Sequence, residues 1–207
     1  MKTSKTPLVL YTVGHSTRTI EEFIKLLKAH AIKRLVDVRT IPKSRYVPWF
    51  NHDELALSLR KAGVFYRHLA ALGGLRHAHK DSANSGWHNA SFRGFADYMG
   101  TPEFEKGLNI LNALLPRAKT AVMCAEALPW RCHRSLIADA ETARGIRVEH
   151  LMSPTSIRLH EMTSFAIVNK KSRSPKVSYP FDAEGKSQLG LPGINHPNKP
   201  VRKTVPG

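Results

Sequence analysis

Two cysteines, eight positions apart, lie in the stretch MCAEALPWRCHRSLIAD (123–139), and the second is followed at once by His133 and Arg134. A thiol acts as a nucleophile through its thiolate, a form favoured by neighbouring cations and by a helix N-terminus. Cys132 has Arg131, His133 and Arg134 around it and a helix expected to begin near Pro129, so it is the better candidate for nucleophile or redox thiol. Cys124, near the end of an apolar run, is either its assisting or resolving partner or a small buried hydrophobe. Other chemistries fit less well. A phosphatase-type cradle needs a shorter step from cysteine to arginine, so that loop amides wrap the phosphate; six residues separate Cys124 from Arg131. A sulfur carrier would hold one cysteine in a tight strand-to-helix loop, where Pro129-Trp130 is unusual. Zinc sites use close Cys/His pairs, and Cys-x7-Cys-His is not such a spacing; His77, His79, Asp81 and His88 offer ligands in a separate polar stretch.

The remaining polar residues gather just after apolar runs. GHSTR brings His15, Ser16 and Arg18; DVR brings Asp37 and Arg39, with Arg45 close behind; LGGLR brings Gly73, Gly74 and Arg76; CAE brings Glu126. Arginines offer paired donors to phosphate and carboxylate, so Arg18, Arg39, Arg45, Arg76 and Arg134 are candidate anion ligands. Some of them could instead form structural ion pairs with Asp37, Asp53 or Glu126. His133 or His15 would be the acid/base, and Glu126 would orient a donor.

The elements that must position these groups alternate. Apolar runs at 8–14, 34–40, 64–69, 120–126 and 146–152 read as strands. Helical patterns separate them: Ile20, Phe23, Leu27 and Ala31 share one face behind a Thr19/Glu22 capping box, and Leu55, Leu59 and Ala62 share another behind Asn51/Glu54. Thr101-Pro102 starts a further helix, and Gly145 ends the one that follows Cys132. This is the pattern of an α/β fold, a mostly parallel sheet of about five strands with helices on both faces. In the common strand order 3-2-1-4-5, the GHSTR and CAE loops would face each other across one crevice at the carboxyl ends of the strands. Residues 157–168 read equally as helix or strand. The polar insertion from Ala70 to Ser91 could act as a lid, with Trp87, Phe92 and Tyr98 stacking on a base; Phe92, Phe95 and Met99 also fit the core face of a helix, and Trp49 is either lining or core. We expect residues 1–169 to form the domain and 170–207 a basic, Pro/Gly-rich, disordered tail, partly packed through Tyr179, Phe181 or Leu191.

Charge narrows the partners. The 207 residues carry 32 Lys+Arg against 16 Asp+Glu, a net +16. From Lys170 onward there are eight basic and two acidic residues, so only +6 of that belongs to the tail. A body this basic attracts anionic ligands, a nucleotide or nucleic acid above all. No apolar run is long enough to span a bilayer, and the short apolar run at the N-terminus lacks a cleavage signature. With two cysteines and no disulfide framework, a reducing, cytoplasmic setting is expected.

The chain resembles the uncharacterised family called domain of unknown function 488. The resemblance is carried by TVGHSTR (12–18), LVDVRTIPKSR (35–45), WFN (49–51), HLAALGGLR (68–76), FRGFADYM (92–99), TPEF (101–104) and MCAEALPWRCHRSLIAD, in order over about residues 8–152. It implies an α/β fold and makes the GHSTR, DVR, GG and Cys…Cys-His-Arg segments the family's candidate site. A proline is expected in place of Ala70 or Ala71, a difference of loop shape. The resulting expectation is an enzyme acting on a phosphate-bearing substrate through a Cys/His/Arg crevice. A non-catalytic nucleic-acid-binding protein and a thiol redox or sulfur-transfer protein are the alternatives. The sequence names no cofactor, reaction or oligomeric state.

Overall fold

The computed structural model describes residues 8–171 and 174–181. Strands form where the chain is apolar on both faces: β1 (Val9–Gly14), β2 (Arg34–Asp37) and β4 (Thr120–Cys124) bury nearly every side chain, as a parallel sheet covered by helices requires. With β3 (Phe65–His68) and β5 (Arg147–Ser153) they make five parallel strands. A sixth, β6 (Ser156–Leu159), pairs antiparallel with β5. The ambiguous segment thus supplies an edge strand, and its four exposed side chains explain why periodicity did not assign it.

The sheet order is β3-β2-β4-β1-β5-β6, which corrects the expected 3-2-1-4-5. The crossover from β1 to β2 skips one strand position, and β4, with all five side chains buried, fills the gap. β1 and β4 are still neighbours, in register from Leu10–Thr120 to Gly14–Cys124. Their carboxyl ends therefore lie side by side.

Helices α1 (Ile20–Ala29) and α2 (His52–Lys61) cover one face, packing on Val13, Leu35, Ala121 and Met123. Helices α3 (Ala90–Tyr98), α4 (Pro102–Asn112) and α5 (Arg134–Ala143) cover the other, over Leu10, Val36, Val122 and Val148. The Thr19/Glu22 capping box forms in both directions. The Asn51/Glu54 box does not: Asn51 Oδ1 accepts from Ser44 N at 2.7 Å instead, tying the loop after β2 to the start of α2.

The chain returns over α5. A two-stranded ribbon, β7 (Ile167–Asn169) and β8 (Lys176–Ser178), leads to Tyr179, which is fully buried against Trp87 and Phe165. Tyr179 O accepts from Gly86 N, and Tyr179 N donates to Asn84 Oδ1. The insertion is therefore tied into the core along this stretch. Trp87, expected as a stacking platform, is instead 1% exposed among core aromatics. Phe181 is exposed, and Leu191 lies outside the described residues.

Asp139, wholly buried in α5, accepts from Tyr179 Oη (2.8 Å), His160 Nε2 (2.9 Å) and Thr163 N (3.0 Å). Asp139→Ala removes the acceptor shared by these three donors and should lower the unfolding free energy by about 3 kcal/mol. Tyr179→Phe removes one bond and should cost about 1 kcal/mol. Urea denaturation of both variants checks the ranking.

Candidate active site

The site begins with a close backbone approach. His15 N donates to Cys124 O (3.1 Å) and Ser16 N to Ala125 O (2.8 Å), stitching the GHSTR loop to the CAE loop. Gly14 makes this approach possible: a Cβ there would stand 1.8 Å from Glu126 O. Arg18 braces the turn, donating to Gly14 O at 2.7 Å and Met152 O at 3.3 Å, and Trp49 Nε1 donates to Arg18 O.

The two cysteines converge beside these loops, both free and both buried. Cys124 ends β4. Cys132 is not in the first turn of a helix, as the sequence suggested. Pro129 to Arg131 form a separate 3-10 turn, Cys132 is extended (φ −140°, ψ 146°), and α5 starts only at Arg134. The environment of Cys132 is consequently set by side chains. His133 Nδ1 lies 3.6 Å from Cys132 Sγ and 3.8 Å from Cys124 Sγ. Its Nε2 donates to Val38 O at 3.2 Å, which turns the Nδ1 edge to both sulfurs.

Arg134 lies beneath, 1% exposed. Its Nε donates to Cys132 Sγ at 3.4 Å, one terminal nitrogen to Thr12 Oγ1 at 3.4 Å, and the other to the carbonyls of Glu126 and Ala127. No carboxylate pairs with it among the described residues. Thr12 belongs to a directional chain. Its hydroxyl bonds His150 Nδ1 (2.7 Å), His150 Nε2 bonds His160 Nδ1 (3.0 Å), and His160 Nε2 bonds Asp139 (2.9 Å). Arg134 can only donate, so Thr12 Oγ1 accepts from it and keeps its own hydrogen for His150 Nδ1.

These surroundings split the thiols. Burial alone would raise Cys132, but the hydrogen bond from Cys124 and the charges of His133 and Arg134 hold it well below the ordinary thiol range. Cys124 moves well above it, first through its bond to Cys132 and then through burial.

Above the sulfurs opens a pocket of about 430 Å³. Cys124, Cys132, His133, His15 and Arg39 line it, with Gly74 and Phe92 at the wall and Ile41, Lys43, Leu75, Glu126 and Arg131 toward the mouth. His15 is neutral: burial, partly opposed by its bond to Ser16 O and reinforced by Arg39, lowers its pKa to about 4. Its Nδ1 donates to Ser16 O at 2.8 Å, leaving Nε2 to accept from Arg39 at 3.4 Å. Arg39 is held by both oxygens of buried Asp37 and by Phe50 O, and Tyr66 Oη donates to the same carboxylate. Burial first and then Asp37 drive the Tyr66 hydroxyl far above its usual pKa.

The structure thus brings Cys124, Cys132, His133, His15, Glu126, Arg39 and Gly74 to one pocket. Asp37, Arg134, Ser16, Arg18 and Gly73 do not line it; the first four brace its loops and charges from behind. Arg76 stands apart, donating to Gly73 O with its guanidinium 3.6 Å from the Tyr98 ring. Arg45 is exposed on the loop after β2. The Glu126 contact to a donor is made by its backbone oxygen, to Arg134. Lys43, Thr12 and His150 were not among the expected residues. A threonine inside the apolar, largely buried run LVLYTVG was the available signal for Thr12.

Cys124, Cys132 and His133 also form a group whose donor atoms all lie within 4.8 Å of one another, close enough to hold a metal ion. Linear spacing argued against such a group, but the 3-10 turn folds the segment back on β4. His77, His79, Asp81 and His88 form no comparable cluster among the described residues.

A family model described as Domain of unknown function DUF488 matches residues 19–140, more than half of the chain. The chain belongs to this family. The DUF488 match includes Asp37, Arg39, Gly74, both cysteines, His133 and Arg134, while β1 with His15 and the strands from β5 onward lie outside it. No curated protein and no solved structure matches the chain.

Gly74 passes flush against the imidazole, so a Cβ there would stand 2.4 Å from His133 Nδ1. Gly74→Ala must displace the ring in this DUF488 site, and should slow alkylation of Cys132 about tenfold with the fold retained. Iodoacetamide kinetics alongside circular dichroism provide the check.

Proposed function

We propose that this protein is a thiolate enzyme acting on a phosphate-bearing substrate of the nucleotide or nucleic-acid class, with Cys132 as nucleophile. The observation that carries the reading is the buried Arg134. A guanidinium removed from water requires a countercharge, and Cys132 Sγ is the group beside it that can supply one. Pocket charge supports an anionic substrate: Lys43 and Arg131 line it against one acid, Glu126. Free thiols kept for chemistry fit a reducing, cytoplasmic setting.

In this scheme Cys132 rests as the thiolate, and His133 Nδ1 holds the proton that the leaving group will need. The sulfur attacks the electrophilic centre of the substrate and an S–substrate bond forms as the bond to the leaving group breaks. The leaving group departs with the electron pair and receives the proton from His133. Water, giving one proton to His133 Nδ1, then displaces the sulfur; this regenerates both the thiolate and the protonated His133, so no oxidant or reductant is consumed. His15, neutral and stacked on Phe50 at 4.2 Å, shapes the floor with Arg39. A metal at the two sulfurs would set a second cation against Arg134, where no carboxylate stands.

Limited iodoacetamide treatment at neutral pH should add one label, on Cys132, and a nucleoside monophosphate should slow that labelling. Cys132→Ser should abolish the label and reduce turnover of any identified substrate by about a thousandfold or more; Cys124→Ser, whose hydroxyl still donates, should retain both. Equal labelling of the two cysteines, or one tightly held zinc per chain with both sulfurs inert until chelation, would overturn the proposal.

A further inference from the structure

We infer that the substrate is a single nucleic-acid strand laid across the pocket mouth, rather than a free nucleotide. The inference rests on the proposed thiolate site and adds the substrate's polymeric nature. Its evidence is the rim. Among the large hydrophobics of the described residues, the three most exposed are Tyr46 (94%), Leu75 (68%) and Ile41 (64%). Leu75 and Ile41 line this pocket, and Tyr46 ends the same short loop, IPKSRY, that carries Ile41. Apolar exposure this concentrated marks a contact surface. A mononucleotide inside the pocket would leave Tyr46 with nothing to cover it.

Charge selects the occupant. The loop holds Lys43 and Arg45 and no acid, and Arg131 lines the same pocket. None of these three cations has a carboxylate partner among the described residues. Cations interleaved with an exposed aromatic fit a strand whose phosphates meet the former and whose bases stack on the latter. One nucleotide would enter the pocket toward Cys132, as enzymes that act on a base or nucleotide require, while a neighbour stacks on Tyr46. The loop is held in place for this by Asn51, which accepts from Ser44 N.

The test uses the full chain and reads protection of Cys132 from alkylation, which reports occupancy of the pocket and not of the basic C-terminal residues. An oligothymidylate of about 12 nucleotides should protect at a concentration at least about tenfold below that needed for thymidine monophosphate. Tyr46→Ala, at a position too exposed to affect folding, should weaken protection by the oligonucleotide about tenfold and leave that by the mononucleotide unchanged. Equal protection by the two ligands, no effect of Tyr46→Ala, or protection by polyglutamate matching that of the oligonucleotide would overturn the inference while the thiolate reading stands. Protection by neither nucleotide ligand would remove both.

Discussion

A guanidinium sealed inside the sheet without a carboxylate is the constraint around which this molecule is arranged. Arg134 reaches three carbonyl and hydroxyl oxygens, which satisfy its donors but not its charge. The Cys132 sulfur is the remaining contact, and a thiolate there completes the pair. Much of the surrounding architecture serves this contact. Gly14 lets the β1 and β4 loops close until Glu126 O meets the arginine. Thr12, aimed by His150, His160 and Asp139, offers it a lone pair from the side of β5. The 3-10 turn at Pro129 delivers Cys132 in an extended conformation, so that sulfur and guanidinium meet across one residue.

Two arginines are buried among the described residues, and the molecule handles them differently. Arg39 is neutralised in place by the paired oxygens of Asp37, giving a rigid wall of little net charge beside a neutral His15. Arg134 has its charge matched only by a group that can also react. This division leaves a sulfur as the neighbour of the buried guanidinium at the pocket floor and cations without carboxylate partners at the mouth, the two features on which the proposed thiolate chemistry rests.

The sequence made the fold legible through strands that are apolar on both faces and helices with capping signals, and Thr19, Thr101 and the Gly14 turn lie where those signals put them. It could not show that β4 slips between β1 and β2, because strand order depends on which crossover leaves a gap and no residue type encodes that directly. Convergence of the cysteines with His15, His133 and Arg39 followed from the rule that ligands gather at carboxyl ends of parallel strands. The distinct roles of the arginines did not. Arg18, Arg39, Arg76 and Arg134 look alike as motif residues, and only burial separates a brace, a neutralised wall, a ring stacker and a countercharge. Trp87 misled for a similar reason: a polar loop composition concealed the return of Tyr179, which buries it.

The account stands or falls on the charge state of Cys132. Thiolate ultraviolet absorbance followed against pH, in the native chain and in Cys124→Ser and Arg134→Met variants, measures it directly. The prediction is one thiolate already formed well below the ordinary value of about 8.5, a second appearing only far above it, and loss of the early step in Arg134→Met alone. Two thiols titrating together near the ordinary value would contradict it.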